Sequence, residues 1–283
     1  MRNVILVHGF WHGSWCWSLV TEQLAARGIL SVAVDLDGHG LKSRSPSSRW
    51  GRPFDPAAFA AEPSDTASVT ASSAASTLVR QIRLIGGGEP CVVVAHSMGG
   101  TVATAAAELE PTLFACLMYV SALAPVKGTV AEYSAGPENE GETLTALLAA
   151  DPFIVGAVRL DLGDLSRHSA FRETFYGDVD ESTAEAAISL LAPDAPVGIP
   201  AEAFPVTAGR YGAIPHSYVV CTKDSAIPVA LQRRFVVDMD AVSSGPTEVT
   251  ELDSSHSPFL SQPAALADII AVAYRASFAE RAD

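Results

Sequence analysis

The run Val92-Val93-Val94-Ala95-His96-Ser97-Met98-Gly99-Gly100-Thr101-Val102 constrains the fold more than any other stretch of the chain. A β-branched strand runs straight into Ser97 and on into a helix of small residues, so strand and helix must meet in a sharp turn centred on that serine. The positions two before and two after Ser97 must be small for the two elements to approach, and they are Ala95 and Gly99. Ala95 stands where the G-x-S-x-G elbow usually has its first Gly, and its methyl group demands more regular backbone angles there. Such a turn lifts a hydroxyl out of the sheet as a nucleophile is held.

The rest of the chain supplies a sheet for that turn. Strands are predicted over Asn3 to Val7, Leu30 to Asp35, Cys91 to Ala95, Cys116 to Ser121, Ser217 to Thr222 and Thr247 to Leu252. Most are continuously apolar, as strands covered on both faces are. Helical spacing falls between them, over Trp15 to Arg27, Ser73 to Ile85, Met98 to Glu108, Val229 to Met239 and Pro263 to Phe278. This βαβ alternation predicts a doubly wound, mostly parallel α/β sheet. Two segments break the rhythm. Lys42 to Thr70 is too long for an ordinary loop, leaves the carboxyl end of the second strand and is expected to wall or gate a pocket. Residues 124–214 hold helical pieces without a clear strand and are expected to form an inserted cap, leaving 1–123 and 215–283 as the core.

A serine hydroxyl needs a base and a group that orients the base, and on such a sheet both follow later strands in the order acid, then histidine. His256 lies after the last strand, just before the final helix, and is the candidate base. His216 precedes its strand and would emerge at the opposite edge, and His168 belongs to the cap. Asp224 follows the strand Tyr218 to Thr222 and is the candidate acid; Asp253, three residues before His256, reads as a solvated loop residue. Amides of Met98 and Phe10 are candidate donors to an oxyanion, Gly9 permitting the turn that points Phe10 inward. Gly9, Trp11, Leu123, Phe171, Phe175, Tyr176 and Ser257 are expected around the substrate pocket, which would suit an apolar or aromatic ester. His8 and His12 sit in a Gly-flanked loop that cannot hold helical metal-ligand spacing, so they are read as structural.

Composition narrows the partners. With 18 basic against 32 acidic residues the formal charge is −14, which disfavours nucleic acid and anionic lipid. The four cysteines show no CxxC or zinc spacing and read as buried reduced thiols. The first apolar run, Val4 to Val7, fits neither a leader nor a membrane span, so a cytoplasmic protein is expected. Neither a cofactor nor a metal is expected, and a homodimer is left open.

The stretches His8-Gly9-Phe10-Trp11-His12-Gly13-Ser14-Trp15-Cys16-Trp17, Asp35-Leu36-Asp37-Gly38-His39-Gly40, Ala95 to Gly99 and Val220 to Pro228 together resemble α/β-hydrolases. Within that superfamily the chain looks most like the group of plant methylesterases, the salicylate-binding esterase and the α/β-fold hydroxynitrile lyases. The resemblance covers nearly the whole chain, loosely in the cap, and Lys42 to Thr70 is longer than the family's equivalent. It implies an α/β-hydrolase fold with six parallel strands beginning at Asn3, and a small helical cap over Ser97. It implies a triad of Ser97, Asp224 and His256 with Phe10 and Met98 as the oxyanion hole, cleaving a small-molecule ester or lactone. The lyase relatives carry Thr where this chain has Gly9 and Lys where it has Ser257, so both lyase markers are missing. A ligand-binding protein with a vestigial triad is the other alternative, although a receptor needs none of these residues.

Overall fold

The computed structural model describes residues 3–279. The expected core spans reach residues 1–2 and 280–283, which lie outside the described residues. Its strands are β1 (Val4–Val7), β2 (Ser31–Val34), β3 (Cys91–Ser97), β4 (Phe114–Ala122), β5 (Ala157–Arg159), β6 (Asp194–Pro196), β7 (His216–Cys221) and β8 (Glu248–Leu252). Six of them form one sheet in the order β2-β1-β3-β4-β7-β8, with every pair parallel.

Alternate residues of the central strands feed two cores, which is why those strands read as unbroken apolar runs. Val4, Leu6, Val92, Val94, Met118 and Val219 face α1 (Ser18–Ala26) and a long C-terminal helix, Pro263–Ala279. Ile5, Val7, Val93, Ala95, Tyr119 and Val220 face the other side, against α2 (Ala71–Gly86) and α3 (Gly99–Leu109). Thr70 begins α2 with a capping box to Ser73, and Gly87 ends it in the left-handed region at φ 64°. The four cysteines are buried and free.

Between β4 and β7 the chain leaves the sheet and builds mostly helices, among them α4 (His168–Phe175) and α5 (Glu181–Leu190). Contrary to the strandless reading of this region, β5 and β6 pair antiparallel within it. These strands are three residues each, too short to leave an alternating pattern in the sequence. Their pairing is pinned by Arg159, whose guanidinium grips both oxygens of Asp194 at 2.7 Å in a fully buried pair.

The segment from 42 to 70 packs on this hairpin. Glu62 O accepts from Arg159 Nη1 at 2.8 Å, and Ser64 N–H donates to Val155 O at 2.8 Å. Its expected place as pocket wall is corrected below.

Candidate active site

β3 runs up to Ser97, and α3 begins two residues later at Gly99. Ser97 sits at the join with φ 52°, a left-handed conformation that a side chain seldom adopts without a structural demand. The demand is visible in Gly99, where an added Cβ would lie 2.3 Å from His8 O. Helix and strand loop approach to that limit, so the turn has no slack.

The candidate acid and base arrive on neighbouring loops. Beyond the paired strands, Thr222 N–H donates to Leu252 O at 3.0 Å and Lys223 N–H to Ser254 O at 2.9 Å, zipping the β7 loop to the β8 loop. Asp224 Oδ1 accepts from the amides of Ala226 at 2.7 Å and Ile227 at 2.9 Å. Its Oδ2 accepts from His256 Nδ1 at 2.7 Å, with both side chains out of solvent. That bond fixes the tautomer and leaves Nε2 for the serine. His96 Nε2 donates to His256 O at 2.8 Å, holding His256 from its backbone. Burial keeps the His96 ring well below its ordinary pKa, so it stays neutral beside His256.

Ser97 opens on a cavity of about 180 Å³. Phe10, Trp11, Met98 and Leu123 line it, as expected, together with Val130, Leu144, Val158 and Ile227. Neither Phe10 nor Met98 gives its amide to a backbone acceptor among the described residues. Two uncommitted N–H groups beside one hydroxyl are what a developing oxyanion requires. Larger hollows, of about 590 Å³ beside Trp50 and about 610 Å³ beside His216, lie elsewhere and do not include Ser97.

Other expected pocket residues fall outside the cavity wall. Phe171, Phe175 and Tyr176 are fully buried because the apolar face of α4 turns into the core. Phe175 packs with tilted rings against Trp11 and His256, its ring centroid 5.6 Å and 6.0 Å from theirs, and so supports the site without lining the cavity. Tyr176 bonds His12 Nε2 at 2.9 Å. Ser257 is fully buried and does not face the cavity. Gly9 underlies Ser97, where an added Cβ would stand 2.5 Å from Ser97 Cβ. No residue from 42 to 70 lines the cavity; the segment braces β5, whose Val158 does.

The remaining histidines have hydrogen-bonding roles. His8 Nδ1 donates to Gly9 O at 2.7 Å while Nε2 accepts from Leu36 N–H, and His12 Nδ1 donates to Phe10 O at 2.8 Å. His168 pairs with Glu185 in the cap, and His216 opens β7 at the far edge of the sheet. Asp253 is exposed and bound to Lys223 Nζ at 2.8 Å, leaving Asp224 as the carboxylate on His256.

Sequence reading missed the cap residues Val130, Leu144 and Val158 and the rim residue Glu142. Val130 opens a five-residue helix, Leu144 caps a 3-10 turn and Val158 lies in three-residue β5, elements too short to leave a periodic pattern, and only the fold brings them to Ser97. Ala226 and Ile227 were findable, since their amides hold Asp224 from the two positions that an Asx-type turn uses.

Comparison with known proteins agrees with this architecture. The alpha/beta hydrolase family matches residues 4–269. Methylesterase 7 of Arabidopsis thaliana is 25% identical over 95% of this chain and 95% of its own. The pyrethroid hydrolase of Sphingobium wenxiniae is 29% identical over 96% of this chain and 87% of its own. A solved pyrethroid hydrolase superposes with a TM-score of 0.76 at 24% identity, covering 97% of this chain and 98% of that one. Polyneuridine aldehyde esterase superposes at 0.74 with 22% identity, over 96% and 98%. The chain therefore belongs to the alpha/beta hydrolase family.

Proposed function

We propose that the protein hydrolyses a compact, uncharged, apolar or aromatic carboxylic ester or lactone through an acyl-enzyme on Ser97. The observation that carries this reading is the combination of a left-handed Ser97 on an apolar cavity with an Asp224-anchored His256. Esterase and methylesterase relatives support ester cleavage at low identity.

In this reading His256 Nε2 takes the Ser97 proton as Oγ attacks the carbonyl carbon, and Asp224 stabilises the resulting imidazolium. The Phe10 and Met98 amides receive the oxyanion. As the tetrahedral intermediate collapses, the leaving alcohol takes the proton from His256. Water then attacks the acyl-enzyme with His256 as base, and the acid departs.

The cavity supports the substrate class. Its volume of about 180 Å³ is below the roughly 300–1,000 Å³ usual for drug-sized ligands, which supports a compact substrate. Glu142 is the one charged residue in the cavity wall, and it has no cationic partner within salt-bridge range among the described residues. An anionic substrate would meet that carboxylate without compensation.

The test is a panel of methyl, aryl and short acyl esters and lactones run beside mandelonitrile. Turnover of at least one neutral ester should exceed cyanohydrin cleavage. Faster cleavage of mandelonitrile than of every ester would replace hydrolysis by lyase chemistry, and inertness to all would favour a binding role.

A further inference from the structure

The strand next to the nucleophile carries one residue too many. His96 pairs with Val120 and Ser97 with Ala122, so Ser121 of β4 is an extra residue in a bulge beside the strand–helix turn. Bulges of this kind re-aim a side chain. Ser121 is fully buried and has φ 39°, a left-handed conformation adopted by a residue that is not glycine.

Neighbouring groups hold the bulge in that shape. The Tyr218 hydroxyl accepts from Ala122 N–H at 3.0 Å and donates to Ala122 O at 2.6 Å. Leu123 N–H donates to Ser97 O at 3.0 Å, tying the far side of the bulge to the nucleophile. The outcome is that Ser121 Oγ donates to Asp224 Oδ2, the same oxygen that accepts His256 Nδ1–H.

We propose that Ser121 is a positioning residue, bulged out of β4 to fix the Asp224 carboxylate against the His256 ring. The inference rests on the triad reading above. The hydroxyl keeps its proton and acts in two ways. It prevents Asp224 from rotating about its side chain, and by sharing Oδ2 it draws off part of the charge that stabilises the His256 imidazolium.

Other groups around the pair supply little competing charge. His96 and His12 face the His256 ring, and burial lowers both, His12 to about 3. Tyr218 and Cys221 lie near Asp224, and burial raises both, so they stay uncharged. A further carboxylate, Asp178, accepts from Ser255 Oγ.

Ser121→Ala and Ser121→Gly test this together. Both delete the hydroxyl, while Gly also accommodates the left-handed backbone, so it reports on the hydroxyl even if the Ala variant folds poorly. The expected result for each is a fall in kcat on the order of tenfold with KM little changed. The acid limb of kcat/KM should move to higher pH, because Asp224 then bonds His256 alone. Tyr218→Phe, which loosens the bulge without touching Asp224, should shift the limb in the same direction. Wild-type kcat and an unmoved limb in Ser121→Gly would overturn the proposal. Asp224→Asn, run alongside, separates the readings: its inactivity beside a silent Ser121→Gly leaves the triad standing and removes only Ser121.

Discussion

Gly9→Ala is the sharpest structural perturbation of the site, because the distances fix what must move. An added Cβ would stand 2.5 Å from Ser97 Cβ, 3.0 Å from Ser97 Oγ and 3.1 Å from His96 Nδ1. Carbon atoms settle at about 3.5–4.0 Å, so roughly 1 Å must be found. Ser97 cannot yield, since Gly99 is already packed to His8 O with no room for a side chain. The loop after β1 must retreat instead, taking the Phe10 amide with it. Displacement by about 1 Å, or loss of one oxyanion donor, costs on the order of 10²-fold in rate, equivalent to about 2.7 kcal/mol of transition-state stabilisation. The overpacking itself should lower stability by about 1–3 kcal/mol. Because the donor acts on the transition state, kcat should fall while KM changes little. Steady-state kinetics on p-nitrophenyl butyrate with a thermal melt would measure both effects. Gly245→Ala is the control, since a Cβ there meets nothing within 4 Å. A Gly9→Ala enzyme with kcat equal to the parent would refute the placement of Phe10.

Asp224→Asn should reduce kcat by about 10⁴-fold, the loss known for the corresponding change in a serine protease, whereas the exposed Asp253→Asn should be nearly silent in the same assay. Glu142→Gln should narrow the preference for p-nitrophenyl butyrate over the p-nitrophenyl monoester of succinic acid by about fivefold, and an unchanged ratio would remove Glu142 as the charge filter. Burial lowers His8 and His12 to about 3 and His39 and His216 to about 4, against 6.5 for an exposed histidine, so the unfolded chain binds more protons in acid. Their contribution is intact above pH 6.5 and is lost as pH falls towards 4, each costing about 1.4 kcal/mol at pH 5.5; urea midpoints should drop steeply between pH 7 and 5.5, and a flat profile would contradict the buried neutral assignments.

The parts legible in the sequence are those whose cause is local. The strand into Ser97 and the small residues after it report a steric need that the His8 carbonyl now explains. The meeting of His256 and Asp224 was readable because parallel topology places every strand's carboxyl end on one edge. The cap aromatics were misplaced for the opposite reason. Phe171, Phe175 and Tyr176 promise an apolar pocket by composition, but the orientation of α4 turns them into the core. The Arg159–Asp194 pair that braces β5 against residues 59–62 joins positions far apart in the chain and leaves no periodic trace. Ser121 was read as the last residue of an ordinary strand, since a bulge appears only once the partner strand's register is known.

Covalent labelling of Ser97 tests the central claim most directly. The native protein, incubated with a fluorophosphonate and measured by intact mass and peptide mapping, should gain one adduct, located on Ser97, and lose ester hydrolysis in step with labelling. The Ser97→Ala variant should melt as the parent does and take up no adduct. Labelling of Ser97→Ala at the parent rate, or an adduct mapped to another residue in the parent, would contradict the assignment of Ser97 as the nucleophile.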